Sequence, residues 1–485
     1  MSRAVRSTPL LWVICLVAVA LRAYPFFAPH TFLGVMEVDD GVYYGASRML
    51  LDGLVPYKNF LIVHPPVTSV LLLPSALIGS WFGDPVGLAS ARVLMVAVGV
   101  ANVLLVHRLA LKLPKASSRA ALVAAALYAV MPDSVVAEHT VLLEPLVNLF
   151  CLLAALALLR ERALLAGALL VAGVGCKVFA GAYVVAVLLW LVLGDRRTEL
   201  KRLVIGLAVG SAVLILPFAI TDPGTVWHDV ITTQLSRPAD GTPGGLVRVL
   251  DPRIGHALAV LLFVVLALSV LAVPVWWERR HPRSPVTLWL LAAGLGGLAF
   301  ANSPSYFPHY GAFLVPPIAL LLCRLEARRL GALSLAALTV GFTVSSVHDI
   351  TSDYTGQGDL SAVQAVVPEG SCVFYEAISL AVAADRLIQP SATCPAWIDG
   401  RGVALTQNTD WPHDRSFYPA GFVADEEWQR DTVAQFEKAD FLLLYRSPDE
   451  TDEWNATTRA YANAHFHRVW SSHSGRVDAE VWARD

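Results

Sequence analysis

The sequence predicts a polytopic α-helical membrane protein that ends in a water-exposed α/β domain. It is 56% hydrophobic and only 15% charged, whereas soluble domains are usually about one quarter charged. Apolar stretches of about 15–20 residues recur up to Val347, and a helix needs about 20 apolar residues to cross a bilayer. From His348 onward the chain mixes Trp, Asp and Arg as globular domains do. We therefore expect a transmembrane domain in residues 1–347 and an α/β domain in residues 348–485.

The distribution of basic residues orients the chain, because cytoplasmic loops collect Lys and Arg. Six clusters stand out: Arg3/Arg6, Arg108–Arg119, Arg160/Arg162, Arg196–Arg202, Arg279–Arg283 and Arg324–Arg329. If all six are cytoplasmic, five helical hairpins and one last span give about 11 spans. This predicts a multi-pass protein of the plasma (inner) membrane with a cytoplasmic N-terminus and an extracytoplasmic tail. The net charge of −3 gives no indication of nucleic-acid binding.

Two apolar segments need special treatment in this topology. Residues 163–194 lie between basic flanks and are too short for two full spans, so we expect two short helices that meet near Gly173–Lys177. Lys177 then lies at or just below the outer surface. Pro66–Trp81 is apolar enough to cross, but a crossing there would invert every later basic cluster. We therefore predict a re-entrant or surface-lying helix.

Three arginines run against the charge rule, because they fall in the predicted outer loop 221–256. They are Arg237, Arg248 and Arg253. Either the loop is long enough to escape the rule, or these side chains meet an anionic substrate.

Six cysteines are present, and four of them fall in or beside apolar spans: Cys15, Cys151, Cys176 and Cys323. A thiol there is a small apolar side chain. Cys372 and Cys394 lie in the polar tail, where an oxidising compartment would allow a disulfide. Two buried thiols are the alternative.

The first outer loop carries an acidic pair, Asp39 and Asp40. Apolar positions recur after it at helical spacing, and Gly53 is a suitable C-terminal stop, so the pair lies at the start of a short amphipathic helix. One of the acids could simply cap this helix. A cap does not need two adjacent carboxylates, which favours a functional pair.

Further polar residues appear at the predicted mouths of spans. Tyr57 precedes the triplet His64-Pro65-Pro66, and either it and His64 anchor the loop at the interface or they line a site. Glu144 and Lys177 lie at apolar spans, where a charge is costly unless it is paired or functional. The two could form only a structural salt bridge with each other.

A later outer loop, 302–310, is aromatic and polar. His309 and Tyr310 either line the site or belong to an interfacial aromatic belt. The tail alternates short apolar runs (371–375, 441–445, 481–482) with helix-like stretches (377–384, 428–438), which predicts a small α/β domain. No catalytic motif is visible in the tail, so acceptor recognition is its expected role.

These motifs, in this order, resemble those of GT-C membrane glycosyltransferases over residues 1 to about 325. Asp39-Asp40 followed by His64-Pro65-Pro66 is similar to the first outer loop of protein O-mannosyltransferases. The lipid A aminoarabinose transferases share an acidic pair with the Tyr and Ser-Arg that follow it, an acid-Pro in the second loop, and a Gly-rich turn with Lys. The matching residues here are Asp39, Asp40, Tyr43, Ser47, Arg48, Glu144, Pro145 and Gly173–Lys177. Two departures, Asp40 in place of Glu and His64 in place of Lys, leave the donor sugar open.

The resemblance implies transfer of one sugar from a polyprenyl-phosphate donor to an acceptor hydroxyl, with inversion, at the outer membrane face. Asp39 would take the hydroxyl proton with Asp40 in support, and Glu144 would shape the acceptor site or a metal site. Cations would stabilise the leaving phosphate. The residues expected on the donor phosphate are His64, Lys177 and Arg48, and those expected to line the substrate are Tyr43, Tyr57, His309 and Tyr310. A divalent metal is possible, and the acceptor could be a glycan, a lipid or a protein.

Two other classes of membrane protein fit parts of the pattern. A lipid-linked sugar flippase or transporter would also be polytopic, but it should carry polar residues in both halves of the membrane. Here they gather on one predicted side. A scaffolding membrane protein would not need acids and bases that converge on one face.

Overall fold

The computed structural model describes residues 3–238, 282–352, 359–407, 420–446, 453–472 and 478–485. The first two ranges are almost entirely helical. Their α-helices, in chain order, are α1 (Arg3–Ala23), α2 (Val38–Leu51), α3 (Val67–Leu71), α4 (Leu73–Phe82), α5 (Asp84–Ala110), α6 (Ser118–Val130), α7 (Pro132–Glu138), α8 (Glu144–Leu158), α9 (Ala163–Cys176), α10 (Gly181–Leu193), α11 (Arg197–Leu214), α12 (Leu216–Ala219), α13 (Pro223–Trp227), α14 (Thr233–Leu235), α15 (Pro285–Ala301), α16 (Val315–Leu322) and α17 (Arg329–Ser352). Short 3₁₀ and π turns join several of them. Arg248, Arg253, Arg279 and Arg280 lie outside the described residues.

Within the described ranges, three helical segments are long and apolar enough to cross a bilayer: Pro9–Phe27, Asp84–Ala110 and Arg329–Ser352. The pair α6 and α7, bent by 59°, meets the same criterion as one unit. Several shorter apolar helices pack around them. Trp12 and Leu16 of α1 remain 62% and 66% exposed, as side chains that face lipid do. The protein is therefore a multi-pass membrane protein, and the count of about 11 spans stays a prediction.

Both segments that needed special treatment form short helices, and their predicted positions relative to the membrane stay predictions. α9 ends at Cys176, Lys177 has extended backbone (φ −155°), and the next helical stretch begins at Val178. Two short helices therefore meet at Lys177. Pro66–Trp81 forms the short helices α3 and α4, of five and ten residues, with Leu72 between them. Neither helix alone reaches the ~20 residues that a spanning helix needs.

The tail is an α/β structure built on a four-stranded mixed sheet. The strands are β1 (Val373–Tyr375), β2 (Phe441–Arg446), β3 (Phe466–Ser472) and β4 (Asp478–Arg484), in the spatial order β1-β2-β4-β3. β1 pairs parallel to β2, and the other two pairings are antiparallel. The tail helices are α18 (Val363–Val366), α19 (Ile378–Ala383), α20 (Gly400–Gln407), α21 (Ala420–Ala424), α22 (Glu426–Phe436) and α23 (Ala456–His465).

Three of the four strands were predicted, and so were helices α19 and α22. β3 was not, because its exposed residues interrupt any apolar run. Cys372 and Cys394 form a disulfide, which decides between the two alternatives left open by the sequence. α17 continues to Ser352, so the last long helix of the membrane part extends past the boundary proposed at residue 347.

The tail packs directly on α2, the helix that carries the acidic pair. A Cβ atom added at Gly41 would lie 2.4 Å from the Cα of Ser379 at the start of α19. One added at Gly45 would lie 2.4 Å from the Ile378 side chain. These two glycines, one turn apart, allow the backbones to approach. On another face of α2, the Tyr44 hydroxyl donates to Asp84 Oδ1 at 2.8 Å. α2 is therefore held between the tail and the α4–α5 corner.

Candidate active site

A cavity of about 290 Å³ opens where the N-terminal end of α2 meets four other parts of the membrane domain and the tail. The four parts are the loop before α3, the end of α7 with the loop after it, the segment after α14, and the loop before α16. Its charged and histidine lining residues are Glu37, Asp39, His64, His139, Arg237, His309, Asp399 and Arg401. Tyr43 and Thr140 also line it. The cavity therefore brings together residues that are far apart in the sequence.

The two adjacent acids of α2 have different surroundings. Glu37, not Asp39, is the N-cap residue of α2, and its side chain accepts from the Val38 N–H at 3.1 Å. Asp39 lines the cavity and is partly exposed. Asp40 is fully buried, and its Oδ2 lies 2.5 Å from Arg92 Nη2. The proposal that Asp39 serves only as a cap therefore loses its basis.

Arg92, on α5, fixes Asp40 and the loop that leads into α2. Its guanidinium donates to the Phe32 carbonyl at 2.7 Å and the Gly34 carbonyl at 2.8 Å, in addition to Asp40. Thr140 adds a hydroxyl bond to Asp40 Oδ2 at 2.8 Å. Arg92 was not among the predicted site residues, although an Arg inside an apolar span is itself a signal of a buried acidic partner.

His64 lies on a loop whose backbone is fixed from several sides. The Tyr57 hydroxyl donates to the His64 carbonyl at 2.6 Å, so Tyr57 supports the loop and is not part of the cavity lining. The His64 ring meets the Tyr43 ring edge to face, with centroids 5.6 Å apart. Burial, reinforced by nearby Lys177 and Arg237, holds the pKa of His64 well below its usual range. His64 is therefore neutral at pH 7 in this structure.

Lys177 and Glu144 form a buried ion pair, with Nζ 2.6 Å from Oε1. The ammonium of Lys177 lies 4.0 Å from the centroid of the Tyr310 ring, a cation–π contact. His309 Nε2 lies 4.0 Å from Glu144 Oε1. Neither Lys177 nor Glu144 lines the cavity, whereas His309 does. The pair lies behind His309 and Tyr310, which corresponds to the structural salt bridge considered as an alternative.

Arg237 provides a cation at the cavity wall. Its guanidinium lies 5.2 Å from the centroid of the Phe307 ring, and its Nη1 donates to the Tyr310 hydroxyl at 3.4 Å. The pKa of His309, beside it, is lowered to about 4, chiefly by burial. Of the two explanations offered for the arginines in the outer loop, a meeting with an anionic substrate fits the position of Arg237.

Arg48 is placed differently from the other predicted phosphate ligands. Its guanidinium pairs with Asp52, one turn along α2, and its Nε lies 3.4 Å from Asp84 Oδ1. It is not among the residues that line the cavity. The physical reason is helical periodicity, because Arg48 follows Asp39 by nine residues, two and a half turns, and therefore faces the opposite side.

Four cavity residues come from the tail, and two of them, Asp399 and Arg401, carry charged side chains. Asp399 is 7% exposed and accepts from the Gly402 N–H at 2.8 Å, at the start of α20. Burial raises its pKa to about 6, although the N–H groups of Gly402 and Val63 act in the opposite direction. The local pattern of an Asp before a short helix indicates only an N-cap. No signal in the sequence joins this segment to the membrane domain.

Among the residues that the structure describes, no three His, Cys, Asp or Glu side chains are arranged to bind a metal ion. The possible divalent metal therefore has no ligand set among the described residues.

Comparison with known proteins finds similarity in structure only. No family model matches the chain, and no curated protein matches its sequence. ArnT from Cupriavidus metallidurans bound to undecaprenyl phosphate superposes with a TM-score of 0.59 and 15% identity, covering 99% of this chain and 97% of that one. The apo form of ArnT gives 0.61 and 14%, covering 98% of both chains.

A second match is the archaeal oligosaccharyltransferase AglB from Archaeoglobus fulgidus, in complex with an inhibitory peptide and a dolichol-phosphate. Its TM-score is 0.55 at 14% identity, over 90% of this chain and 69% of that one. ArnT and AglB are both GT-C membrane glycosyltransferases. The agreement with ArnT extends through the tail as well as the membrane domain. The chain therefore has the GT-C fold.

Proposed function

We propose that the chain is an inverting glycosyltransferase that moves a single sugar from a polyprenyl-phosphate donor to an acceptor hydroxyl on the outer face of the membrane. The observation that carries the proposal is the position of Asp39, a carboxylate that lines the cavity and is not the N-cap residue of α2. It shares that cavity with Arg237, Arg401 and His64. A base and cations in one cavity fit a reaction in which a hydroxyl loses a proton and a phosphate leaves. The fold shared with ArnT, which was solved with undecaprenyl phosphate, supports the donor class.

In this reaction the acceptor oxygen attacks the anomeric carbon of the donor sugar. A new C–O bond forms as the bond from that carbon to the phosphate oxygen breaks, and its electron pair leaves with the polyprenyl phosphate. The hydroxyl proton passes to Asp39. A single displacement inverts the anomeric carbon. Asp40 does not line the cavity, and its ion pair with Arg92 suits it to hold α2 in place.

On the donor side, we assign the phosphate to His64 and Arg237. The charge on the phosphate grows as the bond breaks, so cations there favour the transition state. A phosphate beside His64 would raise the pKa of its imidazole and favour the charged form. Lys177 is paired with Glu144, contacts the Tyr310 ring and does not line the cavity, so it is not assigned to the phosphate. Arg48, paired with Asp52 and Asp84, is not assigned to the phosphate.

The test is Asp39→Asn with a defined polyprenyl-phosphate sugar and the purified protein. Asn keeps the size of the side chain but cannot take the proton, so we expect transfer to fall by about 10²–10⁴-fold, with donor binding near normal. Asp52→Asn, at the other end of the same helix, is the matched control and should retain transfer. Full activity in a folded Asp39→Asn protein would refute the mechanism. Donor binding without any transfer by the unmodified chain would favour the flippase or transporter alternative.

A further inference from the structure

The carboxylate of Asp399 makes two bonds to different parts of the molecule. Oδ1 accepts from the Gly402 N–H at 2.8 Å and caps α20 within the tail. Oδ2 accepts from the Val63 N–H at 3.3 Å, a contact between residues 336 positions apart in the sequence. One side chain therefore caps the start of a tail helix and holds a loop of the membrane domain.

The loop that Asp399 holds is the one that carries His64. The carbonyl of Val63 accepts from Gln234 Nε2 at 3.0 Å, so both polar groups of this residue are bonded. Rotation about the Val63 backbone would carry His64, the next residue, away from its position beside Tyr43. Asp399 and His64 line the same cavity. A change at Asp399 therefore acts on His64 without a direct contact between their side chains being required.

We propose that Asp399 is a positioning residue, through which the tail sets the His64 loop for the transfer reaction. The inference rests on the proposed function and deepens it. The tail is then a structural part of the transferase site in addition to any role in acceptor recognition. Asp399 is not a catalytic residue in this scheme, because it acts through Val63 and His64.

Asp399→Asn separates the two bonds. Asn caps helices about as well as Asp, but its amide has one oxygen where the carboxylate has two. We expect that oxygen to keep the shorter bond, from the Gly402 N–H at 2.8 Å, so that the Val63 N–H, now at 3.3 Å, loses its acceptor. We expect normal folding, at least tenfold faster hydrogen exchange in the segment 57–64, and a roughly tenfold lower kcat/KM for the donor, the loss associated with one hydrogen bond. Unchanged exchange in that segment would overturn the proposal.

Asp425 offers a matched control in the same tail. It is buried and caps α22 by accepting from the Glu427 and Trp428 N–H groups. Asp425→Asn should leave both the exchange of segment 57–64 and transfer unchanged. A similar effect from both substitutions would mean that general loss of tail stability, not the contact with Val63, is responsible.

A double substitution tests whether Asp399 acts through His64. If it does, Asp399→Asn should reduce transfer little further in a His64→Ala background, whereas independent roles would give additive losses. Additive losses would contradict the proposal. A wild-type protein without transferase activity would contradict the proposed function instead, and the exchange measurement would still decide whether Asp399 holds the loop.

Discussion

Asp39 and Asp40 are neighbours in the sequence, yet the fold gives them opposite surroundings. One lies at the cavity and the other is enclosed by Arg92 and Thr140. The acidic pair could be recognised from the sequence because its chemistry is local to one helix start. Which of the two acids faces the cavity depends on Arg92, which lies on another helix. A pattern within one helix could not indicate this.

Substitution of Lys177 should first reveal its pairing with Glu144. Both side chains are buried, so Lys177→Met leaves a carboxylate without its partner and should destabilise the protein by about 3–5 kcal/mol. Adding Glu144→Gln should recover most of the lost stability. The measurement is the unfolding temperature of the protein solubilised in detergent. If the stable double variant binds donor normally, Lys177 is only a structural partner. If donor binding stays weak, Lys177 also contributes to the phosphate site.

The raised pKa of Asp399 predicts a stability that depends on pH. The folded state binds the proton more tightly than the unfolded state, whose Asp titrates near 3.9. The charged carboxylate therefore lowers the stability of the folded protein at pH 7.5, and this loss disappears as the pH falls through about 6. Asn carries no such penalty. Between pH 7.5 and 5 we expect the unfolding temperature of the wild type to rise relative to that of Asp399→Asn. A constant difference would contradict this assignment.

At the scale of elements, patterns within one helix or strand were readable and pairings between elements were not. The break at Lys177 followed from the length of the apolar segment and its basic flanks. β3 was not predicted, because His467 and Arg468, exposed on an edge strand, interrupt its apolar pattern. The packing of α2 on α19 was not predicted either, although Gly41 and Gly45 are one helical turn apart.

Gly41→Ala should separate α2 from the tail. Its Cβ would lie 2.4 Å from the backbone of Ser379, which cannot move aside as a flexible side chain would. We expect a destabilisation of about 1–3 kcal/mol or more, together with a loss of transfer because the helix that carries Asp39 shifts. Gly341→Ala in α17 is the control, since its Cβ would meet nothing within 4 Å. It should be neutral or stabilise the helix by up to about 1 kcal/mol.

At the scale of the whole molecule, the membrane domain and the tail enclose one cavity. From the sequence they were expected to be separate units, and the candidate polar residues of the membrane domain were expected to gather on one side of the membrane. The sequence could not indicate that Asp399 lies at the cavity, because its contact with Val63 joins residues 336 positions apart. Hydropathy indicates which segments enter the membrane, but carries no information on where a polar tail docks.

The predicted topology requires Lys58 and the tail to face outward and Lys115 to face the cytoplasm. Lys58, Lys115 and Glu437 are all exposed, so each can be replaced by Cys for labelling with a membrane-impermeant reagent. Arg280 and Asp410, for which the same topology predicts cytoplasmic and outer positions, lie outside the described residues.

Background labelling should be low, because four native cysteines are buried and the other two form the disulfide. We expect Lys58→Cys and Glu437→Cys to react in intact cells, and Lys115→Cys to react only after the membrane is permeabilised. This follows because the loop with Lys115 belongs to a basic cluster, and such clusters stay on the cytoplasmic side. Reaction of Lys115→Cys in intact cells would show that the orientation is the reverse of the predicted one. Asp39 and its cavity would then face the cytoplasm, and a transfer reaction on the outer face would be impossible.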